Sequence, residues 1–87
     1  MNDIAHLIRL ANRIAAFFEA MPDRAEALEG IASHIQKFWP PGMRAPMLAF
    51  LDAHPDGILG DIALKEIARE AINRNRQRLM PSGIPPT

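Results

Sequence analysis

Few side chains in this 87-residue sequence are of types that do chemistry, and their spacing does not gather them. Its three histidines, His6, His34 and His54, fall in three separate stretches. None has a second His, Asp or Glu at i+3 or i+4, so no helical metal chelate forms. Ser33 adjoins His34, but neighbours on a helix point about 100° apart and do not pair as nucleophile and base. Five glycines (Gly30, Gly42, Gly57, Gly60 and Gly83) are scattered rather than massed before a helix, and Asp56 and Asp61 beside Gly57 and Gly60 would repel a phosphate. With no cysteine there is neither a thiolate nucleophile nor a disulfide. The pattern predicts no catalytic, cofactor-binding or metal site.

Charge is balanced overall but not along the chain. Residues 1–64 hold five Lys/Arg against eight Asp/Glu, whereas residues 65–78 hold five (Lys65, Arg69, Arg74, Arg76, Arg78) against Glu66 and Glu70. The basic segment lacks interleaved aromatics and the net charge is zero, so solvated helix-end cations are preferred over a nucleic-acid handle. At 48% apolar and 23% charged, the composition is that of a folded globular chain and not a disordered one. The start shows no basic-then-apolar leader, and no apolar run approaches the ~20 residues of a membrane span. A cytoplasmic protein is expected.

The elements that would position these residues read as helices. Ile4, Leu7, Ile8, Ala11, Ile14, Ala15, Phe18 and Met21 recur at three/four spacing. They predict a helix over about 3–21, capped by Asn2 or Asp3 and ended by Pro22. Leu10 and Phe17 widen its apolar stripe, while His6, Arg9, Arg13 and Ala16 fall on the far side. Asp23 opens a capping box with Glu26, then Ala27, Leu28, Ile31, Ile35 and Phe38 mark a second helix over 24–39. Gly30 lies off that stripe and costs about 1 kcal/mol of helix propensity. Pro40 and Pro41 stop the helix. A third is expected over 43–53, with Pro46 tolerable only in its first turn, and a fourth over 59–77. No strand pattern is evident. The expected fold class is all-α: one domain over residues 1–79 built as a small bundle of four helices, then a mobile proline-rich tail over 80–87.

One stretch stands out, HIQKFWPPGMR at 34–44. Phe38 continues the stripe and is expected in the core. Trp39, the single tryptophan, suits a core anchor and a partner anchor equally. Met43 and Arg44 follow, and Met, Arg and Trp are enriched at interfaces. Without a partner, Arg44 would stack on Trp39 in solvent and His34 would be packed and hydrogen-bonded. Asn12 borders the apolar face of the first helix and is expected to make a specific hydrogen bond, internal or across an interface.

LANRIAAFFEAMP at 10–22 and IASHIQKFWPPGMRAPMLAFLD at 31–52 resemble the delta subunit of cytosolic NAD-dependent formate dehydrogenases. The resemblance covers about residues 5–72 and departs from the family pattern at Pro40, Gly42 and Pro46. It implies a short, all-helical, cofactor-free accessory chain. In such a complex formate is oxidised to carbon dioxide at a molybdenum or tungsten pterin centre. Electrons pass through iron–sulfur clusters and FMN to NAD⁺, all held by larger subunits. The delta chain would bind the catalytic alpha subunit and support assembly, cofactor loading or stability. Its partner-binding residues would be Asn12, His34, Phe38, Trp39, Met43 and Arg44. A stand-alone helical interaction module or homodimer is the alternative, with neither nucleic acid nor membrane as partner.

Overall fold

The computed structural model describes residues 3–81. Helix α1 spans Ile4–Glu19, and the Asp3 carboxylate caps it by accepting the His6 amide at 2.8 Å. Helix α2 spans Arg24–Phe38, and Asp23 caps it by accepting the Ala25 and Glu26 amides at 2.8 and 3.3 Å. Leu7, Ile8, Ala11 and Ala15 of α1 are fully buried, as are Ile31 and Ala32 of α2. The two helices pack closely at Gly30, where a Cβ would overlap the ring of Phe18. The glycine that looked like a loss of helix propensity is therefore the floor on which Phe18 lies.

Helix α3 spans Pro41–Ala53 and begins two residues before the expected start. The proline pair explains it. A residue before proline is driven out of helical geometry, which suits Trp39 (φ −93°, ψ 119°) and Pro40 (φ −69°, ψ 166°) to the corner. Pro41 then takes the first helical position, where no amide hydrogen is needed. The Pro40 carbonyl accepts from the Met43 and Arg44 amides at 2.9 and 3.1 Å. Pro46 lies inside α3, beyond the first turn expected for it, and removes the amide that would bond the Gly42 carbonyl.

The expected helix over 59–77 is not formed as one piece. Residues 58–63 make a small antiparallel hairpin, β1 (Ile58–Leu59) and β2 (Ile62–Ala63), with Leu59 opposite Ile62. Gly60 has φ +59° and Asp61 has a negative φ, the pattern of a type II′ two-residue turn. Gly57, at φ +74°, closes the turn after α3. Helix α4 follows at Glu66–Arg74 and a short α5 at Arg76–Leu79. The fold is mostly helical with one strand pair, which corrects the four-helix expectation. Helix α1 packs against α2, α3, α4 and β2, and α5 folds back onto α2. The tail expected over 80–87 falls outside the described residues except for Met80 and Pro81.

Candidate interaction site

The corner between α2 and α3 brings five of the six expected interface residues into one stretch of backbone, but with different fates. Trp39 is 5% exposed and belongs to the core. It lines a cavity of about 10 Å³ with Ile35, Arg44, Met47, Leu48, Ile72 and Leu79, so the indole is closely packed. Phe38 is 67% exposed, against the expectation that it lies in the core. The α2 stripe is flanked about equally by positions 38 and 39, since each lies roughly 50° from its centre. The neighbours decide between them. The prolines turn the chain so that α3 and Leu79 cover position 39, and position 38 is left outside.

Phe38 is not alone there. Its ring centroid lies 4.7 Å from that of half-buried His34, one turn earlier, at an interplanar angle of 45°. Met43, also half-buried, packs against the core from the first turns of α3. Arg44 does not lie free on the surface. Its Nε donates to the Trp39 carbonyl at 2.9 Å and its Nη1 to the Leu79 carbonyl at 3.3 Å. One guanidinium thus ties the end of α2 to the end of α5, because those terminal carbonyls have no helical partner.

Asn12 stands apart from the corner. Its Nδ2 donates to the Ala63 carbonyl at 2.9 Å, and its Oδ1 accepts the Lys65 amide at 2.8 Å. The specific bond expected of it is internal and fixes the passage from β2 into α4. Both faces of the amide are thereby occupied within the chain.

Polar surface elsewhere is organised by ion pairs. Glu70 is held between Arg24 at 2.6 Å and Arg74 at 2.7 Å. Its carboxyl lies below the ordinary glutamate range, chiefly because Arg24 hydrogen-bonds it. Arg78 bonds Glu29 at 2.8 Å and Gln36 at 3.0 and 3.1 Å, and the Glu29 carboxyl is lowered by that bond. Arg76 reaches Asp52 at 2.9 Å and Lys65 reaches Glu19 at 3.1 Å. Among the described residues no three His, Asp or Glu side chains lie close enough to hold a metal ion. No described helix is long and apolar enough to cross a membrane.

Phe17, expected to widen the apolar stripe of α1, is instead 74% exposed with its ring edge-on to Phe18 at 5.0 Å. The outward stripe of α1 carries His6, Arg9, Arg13 and Ala16, all exposed. Phe17 lies one turn beyond Arg13 on that same side, a signal present in the spacing itself. The corner therefore presents Phe38 and His34 to solvent, and α1 presents Phe17 beside two arginines.

The sequence model of the NADH-dependent formate dehydrogenase delta subunit family, FdsD, matches residues 6–72. No curated protein and no solved structure matches the chain. The matched span runs from the first turn of α1 into α4 and includes the whole corner, and the chain belongs to this family.

Proposed function

We propose, from membership of the formate dehydrogenase delta-subunit family, that this chain is a non-catalytic accessory subunit of an NAD-dependent formate dehydrogenase in the cytoplasm. It binds the catalytic alpha subunit and supports its assembly, cofactor loading or stability. The molybdenum or tungsten pterin, the iron–sulfur clusters and FMN reside in the other subunits. The observation that carries this reading is the family match over residues 6–72, which spans every element of the corner.

The geometry supports a docking role through shape. Trp39 is packed inside, and Arg44 ties the surrounding carbonyls. What the corner offers a partner is Phe38 with the His34 ring tilted against it, next to Met43. A preorganised aromatic pair loses little conformational freedom on binding, which favours affinity. Trp39 and Arg44 act as the frame for that contact and Asn12 as a more distant brace.

Co-expression with the tagged alpha subunit tests the reading. The chain is expected to co-purify, and its deletion is expected to lower formate oxidation in the cell. Absence of co-purification together with unchanged formate oxidation would sink it. A stable homodimer by ultracentrifugation, undisturbed by added alpha subunit, would favour the stand-alone module instead. A nucleic-acid role is disfavoured because the cations of the basic segment are paired with carboxylates.

A further inference from the structure

The cations of this chain divide by what they touch. Lys65, Arg69, Arg74, Arg76 and Arg78 each reach a carboxylate, as does Arg24. Arg44 bonds two carbonyls. Lys37, in the last turn of α2, is exposed and makes no ion pair among the described residues; the same holds for Arg9 and Arg13, which unlike it stand one turn apart on a single helix. They share the outward stripe of α1 with His6 before them and Phe17 after, at spacings of three, four and four. The one carboxylate within α1, Glu19, is bound to Lys65. Phe17 is the most exposed large apolar side chain described, at 74%. Unpaired arginines that end on a bare aromatic ring have the composition of a binding surface.

We propose that the His6–Arg9–Arg13–Phe17 face of α1 is a docking surface for an acidic protein surface of the formate dehydrogenase complex, with an apolar recess that receives Phe17. This rests on the accessory-subunit reading and adds a second face to it. Charge complementarity selects the occupant. A second copy of the chain on a two-fold axis would set these arginines against one another. A bilayer would need a broad apolar stripe, and that of α1 (Leu7, Ile8, Ala11, Ala15) is already fully buried in the chain's own core. Two arginines on a chain of zero net charge give little hold on nucleic acid. An acidic polypeptide surface satisfies both the arginines and the ring.

The experiment titrates full-length chain against the formate dehydrogenase complex purified from cells that lack it. Wild-type affinity is expected to fall as salt rises. The double variant Arg9→Glu/Arg13→Glu is expected to bind about 30-fold more weakly, and Phe17→Ala about tenfold more weakly. Arg9→Lys/Arg13→Lys, which keeps the charge, is expected to retain most of the binding. Thermal melting of each variant should match wild type, because all three positions are exposed. Binding of the charge-reversed variant within about twofold of wild type, while wild type binds well, overturns this inference alone. Failure of the wild-type chain to bind at all overturns the accessory-subunit reading and this surface with it.

Discussion

Arg9 and Arg13 stand on the outward face of α1 without a carboxylate, whereas Arg74, Arg76 and Arg78 each reach one. In the sequence the second cluster is the denser and looks like the free handle. In the fold it is the one tied down, to Glu70 of its own helix, to Asp52 of α3 and to Glu29 of α2. Three cations of the positive segment 65–78, Lys65, Arg76 and Arg78, reach carboxylates of the negative segment 1–64, and Arg69 and Arg74 pair within their own helix. Counting charges along a chain locates them; only folding shows which remain available.

The sharpest way to break this contrast is to test whether the C-terminal cluster belongs to the fold. Leu79 is 1% exposed and packs at the cavity beside Trp39, bringing α5 against α2. Trp39→Ala should cost about 4 kcal/mol and Leu79→Ala about 3 kcal/mol in urea unfolding, values ordinary for buried large side chains. A loss near zero for Leu79→Ala would mean that α5 and its arginines are loose. The next largest effect concerns the seat of α1. Gly30→Ala places a Cβ into the Phe18 ring. The strain, about 1–3 kcal/mol, should exceed the helix-propensity gain of about 1 kcal/mol, so the variant should be less stable. Phe18→Leu in the same background should recover part of the loss.

Smaller effects compare the two arginine clusters directly. Arg78→Ala should lower the melting temperature by a few degrees, since it removes bonds to Glu29, Gln36 and Asn75. Arg9→Ala should leave it unchanged. Equal shifts for both would erase the distinction. The mildest test is pH. Glu29 and Glu70 have carboxyls lowered in the folded chain by Arg78 and Arg24 respectively. A lowered carboxyl adds stability that is fully present above its unfolded value and lost as pH falls through its folded one. Melting temperature should therefore hold steady from neutral pH down to the ordinary glutamate range and decline below it. Glu70→Gln should flatten that decline, as should high salt, because both pairs lie in solvent.

Much of the fold was legible because its signals are local. The stripe of α1 apart from Phe17, the stripe of α2 as far as Ile35, and the caps at Asp3 and Asp23 follow from spacing and side-chain type, and these form. The hairpin was legible too, in principle. Gly60–Asp61 between Ile58–Leu59 and Ile62–Ala63 is a two-residue turn signal, but two residues per arm cannot outweigh a neighbouring helical pattern. The choice between Phe38 and Trp39 was not local. Both positions flank the stripe, and the decision lies with α3 and Leu79, which arrive from elsewhere in the chain. Gly30 had no visible purpose without Phe18 opposite it. Asn12 announced a bond by its placement, but its partners lie more than fifty residues away. Of the corner residues, helical spacing set the His34–Phe38 ring pair side by side, and it did not disclose that Arg44 would bond carbonyls rather than rest on the indole.

The Asn12 amide grips strand β2 on one side and Lys65, the residue that leads into α4, on the other. During synthesis the first helix can coil early, yet this knot stays untied until residue 65 has cleared the ribosome. About three-quarters of the polypeptide is therefore made before this tie can close.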